Sequence, residues 1–486
     1  MALNFDQHLK NVFKFDGFRY TQREIIERSL QQESLIALMP TGAGKSLTYQ
    51  FISSLAEAQE LVLVVSPLIA LMQDQATKAL EFGLEATFIN SSLTLDEKQK
   101  RQKQISEGKY KLVLVAPERF SKPEFWDCLQ TRKIKLFVVD EAHCISLWGH
   151  DFRPDYSRLQ LYREKLGSPP VLALTATATK DVQADIAKLF KLDLATNLIL
   201  GGIERPNLSL NFSDPYGDDE KNEKLIEILA AHPNQSGIFY FSLIQTLEQV
   251  SRFLASKKIN HLKYHGDLPR DIRRRNQNQF IKSESALILA TPAFGLGVDK
   301  PNIRFVAHYE IPSSIESYFQ EVGRAGRDGV KSFGHFLYDE DDLSIQMQFL
   351  TWAYPEASFI QKVYDLILKN EARVAVEGFD YLREQMVFKN KKDFRVNAAV
   401  SILNRWGCLE ETDTPFGFKV GREPTEADYL LEDQNLLKKE HQKKLLSLLQ
   451  FVKNNRECRL IQVYRYFDHQ VTQPCGICDV CQPKAD

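Results

Sequence analysis

Between residues 35 and 200, five short apolar runs, LIALM, LVLVVS, KLVLVA, KLFVVD and VLALTA, alternate with longer stretches whose apolar positions recur at helical spacing. The continuous runs suit strands buried on both faces, and the longer stretches suit amphipathic helices that cover them. Each run ends in a loop of small or polar residues. This alternation predicts a doubly wound parallel α/β sheet with ligands at the carboxyl ends of its strands. A second series, GIFYFS, HLKYHG, ALILAT, RFVAHY and GHFLYD, repeats the pattern. Two tandem lobes, over residues 1–205 and 206–345, are therefore expected. From 346 to 435 the helical patterns lengthen, and RVNAAVSILNRWGCLEETDTPFGFKV reads as a helix followed by a Gly-containing β-hairpin, the order of a small winged-helix module. Residues 436–486 begin as the Lys-rich amphipathic helix LLKKEHQKKLLSLLQFV and finish at CGICDVC, which reads as a small helical zinc-binding domain. No internal repeat or low-complexity tract interrupts this order.

Composition narrows the class. The 486 residues, 43% hydrophobic and 26% charged, are ordinary for a globular chain of roughly three or four domains. No apolar run approaches the length of about 18 residues that a membrane span needs, and MALNFDQHLKNVFKF carries acid and amide groups where a signal peptide would be apolar. A soluble intracellular protein with no membrane partner is expected. Seven cysteines, three of them in CGICDVC, fit metal ligation in a reducing compartment better than a disulfide framework. With 62 Lys plus Arg against 64 Asp plus Glu, any nucleic-acid surface must be local. Residues 351–435 hold 11 basic and 15 acidic side chains, with KNKKDFR at 389–395 as the one basic cluster, whereas 436–486 hold 9 against 5. The terminal segment is thus the better phosphate-facing candidate.

Several stretches carry chemistry. MPTGAGKS, residues 39–46, lies between a predicted strand and a predicted helix, where Thr41, Gly42 and Gly44 would let backbone amides hold phosphates. Lys45 would meet the β and γ phosphates of a nucleotide, and the Ser46 hydroxyl would ligate Mg2+. Met39 stands where the usual pattern has a glycine, so a chance Gly-rich turn stays open on this stretch alone. VVDE follows about 95 residues later: Asp140 can hold the Mg2+ shell and Glu141 can orient and deprotonate an attacking water. QEVGRAGRDG, in the second lobe, places Arg324 and Arg327 three apart on an expected helical face, where positive charge can meet a developing phosphate charge when the lobes close. Surface ion pairing is the alternative reading. Thr175 and Thr177 end a first-lobe strand, where they either relay the nucleotide state or merely favour the strand. Cys458, Cys475, Cys478 and Cys481 offer four thiolates at spacings that suit tetrahedral Zn2+ in a closed structural site. Cys128, Cys144 and Cys408 read as packing residues or incidental thiols.

In VVDEAHCISLWGHDFRPDY, residues 138–156, aromatic and basic side chains follow the two carboxylates directly. Aromatic rings stack on bases without regard to sequence and Arg153 can meet a phosphate, although Trp148 and Phe152 could instead plug the space between lobes.

These stretches together resemble the RecQ family of superfamily 2 DNA helicases. MPTGAGKSLTYQ, SPLIALMQDQ, VAPER, DEAHCISLWGHDFRPDY, ALTATAT, YHGDL, ATPAFGLGVDKPNIRFV and QEVGRAGRDG occur in family order over about residues 15–345. The resemblance implies that FRYTQ contributes adenine recognition through Gln22 with Arg19 close by. It implies that Arg327 is an arginine finger with Gln320 and Arg324 also facing the nucleotide, and that Gly297 and Asp299 contact both nucleotide and DNA. It further implies that Trp148, His150, Phe152 and Arg153 form an aromatic-rich loop that senses single-stranded DNA. The implied cofactors are ATP, Mg2+ and Zn2+. The implied activity is 3′ to 5′ DNA unwinding driven by ATP, in DNA repair and recombination. Expected partners are single-stranded and duplex DNA, together with single-strand-binding protein or repair factors. The expected chain is a monomer, cytoplasmic and nucleoid-associated in a bacterial-type cell. Alternatives are a DNA-stimulated translocase that unwinds weakly and a nucleotide-switched annealing or scaffold module. The family usually passes almost directly from the second lobe to the zinc helices and places its winged helix after the zinc site, whereas here about 90 residues intervene between the second lobe and the zinc-binding segment. The strand-separating hairpin attributed to that later domain is therefore not carried over.

Overall fold

The computed structural model describes residues 4–40, 42–67, 69–146, 153–295, 298, 300–386, 394–412, 416–431 and 434–482. The apolar runs of the first lobe form β1 (Leu35–Leu38), β2 (Glu60–Val65), β4 (Leu112–Val115), β5 (Lys133–Val139) and β6 (Val171–Thr175). Two further strands, β3 (Ala86–Ile89) and β7 (Leu198–Leu200), complete a parallel sheet of order β3-β4-β2-β5-β6-β1-β7. Both unforeseen strands are edges, where short length and one missing neighbour weaken the apolar signal. Valines, leucines and isoleucines on both sheet faces are almost fully buried, with Phe120, Phe125 and Phe137 filling one layer and Tyr49, Phe51 and Phe13 the other. This burial holds the strand ends rigid.

The second lobe has β8 (Leu208–Ser213), β9 (Ser236–Tyr240), β10 (Leu262–Tyr264), β11 (Leu287–Ala290), β12 (Ile303–His308) and β13 (Ser332–Leu337), parallel in the order β10-β11-β9-β12-β13-β8. The unpredicted strand, β8, is again an edge. Its outer side is covered by the terminal cysteine segment, where the Asp479 backbone N–H donates to the Leu210 carbonyl (3.0 Å) and the Ser209 hydroxyl donates to the Ile477 carbonyl (2.5 Å). The Arg459 guanidinium, fully buried, lies 4.2 Å from the Phe212 ring centre and pairs with Asp479 at 2.9 Å. The lobes and the terminal segment belong to one compact unit, residues 1–338 with 451–486.

Residues 339–450 form a second compact unit. The helices Ala357–Lys369 and Arg395–Arg405 bury Ile360, Val363, Val396 and Leu403 against one another and against a two-stranded antiparallel hairpin, β14 (Leu409–Glu411) and β15 (Phe418–Val420). Gly378, at φ +68, kinks the helical stretch Glu371–Met386, and a Cβ there would meet the Phe416 ring at 3.0 Å. The left-handed backbone and the packed ring both require glycine at this position. The helix Gln434–Lys453 links the two units. Among the described residues no helix is long and apolar enough to cross a membrane.

Candidate active site

Three adjacent strands of the first lobe, β5, β6 and β1, bring their carboxyl ends together. The Met39 backbone N–H donates to the Thr175 carbonyl (2.9 Å), which prolongs the β1–β6 ladder by one residue and buries the Met39 side chain in the core. A core side chain thus explains why the phosphate loop begins with Met rather than Gly. After it, Gly42 (φ +86) and Gly44 (φ +77) turn the chain into the helix Lys45–Ser54, whose first backbone N–H groups face the cleft as an anion site. On β5 the chain leaves the sheet at Asp140. Its backbone N–H donates to the Val65 carbonyl at 2.9 Å.

Lys45 Nζ and Glu141 Oε1 lie 3.2 Å apart, each side chain 15% exposed. Burial, and then the neighbouring Glu141 charge, push the Asp140 carboxyl up to about 7 against the pull of Lys45 and of the Glu141 N–H. Glu141 itself sits at φ +49, a left-handed backbone that costs a non-glycine residue roughly 1–2 kcal/mol. The ion pair to Lys45 and a 3.4 Å contact of its Oε2 to His143 Nδ1 hold it there. His143, buried beneath the site, also lies 3.0 Å from Thr175 Oγ1, and that hydroxyl donates to the Thr177 carbonyl (3.1 Å). A path of polar contacts therefore runs from Glu141 through His143 to the end of β6. His143 had no separate signal beyond its place after two acids, because its partner is 32 residues away.

The second lobe supplies the opposite wall. Gln320, Arg324 and Arg327 line the same cleft as Gly42, Gly44, Lys45, Ser46, Asp140 and Glu141, a space of about 450 Å³. Such a volume is in the small-molecule range, roughly 300–1,000 Å³. Arg327 lays its aliphatic stem over the phosphate loop, so that a Cβ on Gly42 would stand 2.9 Å from Arg327 Cγ, and its guanidinium donates to the Val298 carbonyl at 2.8 Å. The Arg324 guanidinium packs on Gly295. The expected shared helical face is corrected here: the helix is Ile315–Val322, and both arginines lie in the turn after it. Gly323 and then Gly326, at φ +62, end the helix and let the turn fold back, with the Gly326 N–H donating to the Ile303 carbonyl (2.9 Å).

Arg19 lines the cleft. Gln22 stands behind it, 2% exposed, and its Nε2 donates to the Ala43 and Gly44 carbonyls (2.9 and 3.0 Å) while its Oε1 accepts from the Arg19 N–H (2.8 Å). The Gln22 amide thus braces the phosphate loop. Arg153 donates through NH1 to the Pro67 carbonyl at 2.8 Å, tying the chain after the acidic motif to the end of β2. Thr41, Trp148, His150, Phe152, Gly297 and Asp299 lie outside the described residues, as do residues 389–393 of the basic cluster.

Cys458, Cys475, Cys478 and Cys481 place their sulfurs within 4.8 Å of one another. Four thiolates and no competing carboxylate or imidazole suit tetrahedral zinc, and the Cys475 backbone N–H, 3.3 Å from Cys458 Sγ, supplies an outer hydrogen bond. For magnesium, the donors at hand are the Asp140 carboxylate and the Ser46 hydroxyl, hard oxygens of the type that ion takes. Cys128, Cys144 and Cys408 are buried thiols of the packing, as expected. Because the zinc loop covers the β8 edge, Cys478→Ser is expected to lower zinc content, soluble yield and melting temperature together. Full zinc occupancy and an unchanged melting curve in that variant would remove the structural role.

Two parallel-sheet lobes facing one cleft, with a phosphate loop and an Asp-Glu pair on one wall and arginines on the other, define the class of two-lobed helicase motors. Residues 19–185 match the DEAD/DEAH box helicase family, 220–329 the helicase conserved C-terminal domain and 425–482 the RecQ zinc-binding family. The chain is 40% identical over 369 residues to the probable ATP-dependent DNA helicase RecS of Bacillus subtilis, covering 76% of this chain and 73% of that one. It is 38% identical over 334 residues to the ATP-dependent DNA helicase RecQ of Haemophilus influenzae, 69% of this chain. That match spans 53% of the Haemophilus protein, about half its length. In fold it resembles Saccharomyces cerevisiae Dbp5 bound to RNA and ADP BeF3 (TM-score 0.55, 17% identity, 72% of this chain and 91% of that one). It also resembles Mss116p bound to single-stranded RNA and AMP-PNP (TM-score 0.56, 16% identity, 83% and 92%). The chain belongs to the RecQ family of superfamily 2 DNA helicases.

Proposed function

We propose that this protein is an ATP-dependent DNA helicase that moves 3′ to 5′ on single-stranded DNA and separates duplex in repair or recombination. The observation that carries this reading is the shared cleft: the hydrolytic groups of one lobe and the arginines of the other line a single nucleotide-sized space. In this reading Lys45 and the helix N-terminus bind the phosphates, and Glu141 accepts a proton from the attacking water. Asp140 and Ser46 would hold Mg2+, which when bound would neutralise developing phosphate charge. Arg327, with Arg324 and Gln320 beside it, completes the site only when the lobes are closed. Opening after hydrolysis then changes the grip on DNA.

Coupling to DNA is assigned to the segment that follows Glu141. It carries Trp148, His150 and Phe152, and Arg153 anchors its far end to the carbonyl of Pro67. DNA that binds these side chains would act on Glu141 through the chain between them. The 339–450 unit, with helices preceding an antiparallel hairpin, is proposed as a winged-helix-like element that contacts duplex. Residues 436–486 add the net positive charge.

Strand displacement on 3′-tailed, 5′-tailed, forked and RNA duplexes tests the reading. ATP-dependent displacement is expected on the 3′-tailed and forked DNA, with ATP turnover stimulated by single-stranded DNA. Vigorous turnover without displacement would leave a translocase, and displacement only from 5′ tails would reverse the polarity.

A further inference from the structure

Arg205 precedes β8 in the connection between the lobes and is 6% exposed. Its guanidinium donates to the carbonyls of Gly323 (2.8 Å), Ala325 (2.5 Å) and Gly326 (3.3 Å), all in the turn that carries Arg324 and Arg327. Asn207 Nδ2 adds bonds to the Gly326 and Val330 carbonyls (2.8 and 3.0 Å). Among the described residues Arg205 has no carboxylate partner. A buried cation held only by carbonyl dipoles is a costly way to fill space, and burial accordingly lowers the Arg205 pKa from its ordinary value. What the arrangement does provide is geometric: a planar fork reaches several carbonyls at once and fixes the course of the turn.

Arg205 is itself braced from the zinc module. Its backbone N–H donates to the Tyr464 hydroxyl at 2.8 Å. Tyr464 lies on the helix Arg459–Tyr466, whose N-cap residue is the zinc ligand Cys458. The Tyr464 ring also packs edge-on against Phe319 (6.4 Å between centroids), and Phe467 packs on the same ring at 5.8 Å. Phe319 belongs to the helix that runs into the arginine turn. Two routes, one polar through Arg205 and one apolar through Phe319, therefore connect the zinc helix to the turn.

We propose that Tyr464 and Arg205 are positioning residues for the arginine turn, so that the zinc module sets the placement of Arg327 as well as covering the edge of β8. This rests on the reading of Arg327 as a group that stabilises the transition state of ATP hydrolysis. A misplacement of about 1 Å at such a group can cost on the order of 100-fold in rate. The loss belongs in kcat, because substrate binding through Lys45 and the phosphate loop is untouched.

The full chain is tested as Tyr464→Phe, which removes one hydroxyl, and as Arg205→Lys, which keeps the charge but cannot span three carbonyls. Each is combined with Arg327→Ala. The two single variants are expected to retain wild-type zinc content and melting temperature within a few degrees. With single-stranded DNA present, kcat for ATP hydrolysis should fall by roughly 5- to 100-fold, with KM for ATP changed less than about 2-fold. In the Arg327→Ala background the same substitutions should cost no further rate, since the group they position is gone. Folded, zinc-loaded single variants with wild-type kcat would overturn the relay, as would losses that multiply with that of Arg327→Ala. If Arg327→Ala alone hydrolyses ATP normally, the arginine-finger reading fails instead, and the relay fails with it.

Discussion

Glu141→Gln is expected to reduce single-turnover ATP hydrolysis by about 10³-fold, within the 10²- to 10⁴-fold span of a lost general base. Affinity for a non-hydrolysable ATP analogue should stay within a few-fold of wild type. The amide is nearly the same size, so it can occupy the left-handed position at φ +49 without a change in packing. It cannot accept the proton of the attacking water, and it no longer pairs as a charge with Lys45, which lies 3.2 Å from Glu141. Freed of that partner, Lys45 remains available to phosphate, so binding is spared while chemistry is lost. Rapid-quench hydrolysis alongside equilibrium binding of the analogue makes the comparison. Wild-type turnover in the Gln variant would return Glu141 to a purely structural ion pair.

Arg327→Ala should have a loss of comparable size, from about 10³- to 10⁵-fold in kcat if it acts as an arginine finger. Its stem already lies over Gly42 of the phosphate loop, and its guanidinium, which donates to the Val298 carbonyl, belongs to the lining of the same cleft. Arg327→Lys should restore little, because a single ammonium cannot present the planar fork that meets several phosphate oxygens. The signature is in the transition state: affinity for ADP with aluminium fluoride should collapse, while affinity for the ground-state analogue changes little. An equal loss for both ligands would make Arg327 a binding residue and no more.

The parts of this protein that were readable from its amino acids are those in which neighbours in sequence act together. A phosphate loop needs glycines, a lysine and a hydroxyl at one strand-to-helix turn. The Asp140-Glu141 pair needs only a buried strand before it, and three of the four thiolates lie in CGICDVC. Strands buried on both faces announce themselves as unbroken apolar runs, and so both lobes were legible. The edge strands β3, β7 and β8 were not: β3 and β7 have only four and three residues, and β8, LSLNFS, alternates apolar with polar positions and so offers no unbroken apolar run. The end of the helix at Val322 was also missed: Gly323 and Gly326 break the spacing that would have put both arginines on one face.

By itself, then, the sequence determined the chemical inventory and the order of the elements, since both depend on residue type and local period. Tertiary structure alone decided which groups meet. His143 reaches Thr175 across 32 residues, Gln22 reaches the phosphate loop across 21 and 22, and Arg205 reaches the arginine turn across 118 to 121. Tyr464 touches Arg205 from 259 residues away. Such contacts carry no local period. They exist because parallel strands bring distant loops to one sheet edge and because buried polar groups must find partners wherever the fold sets them down.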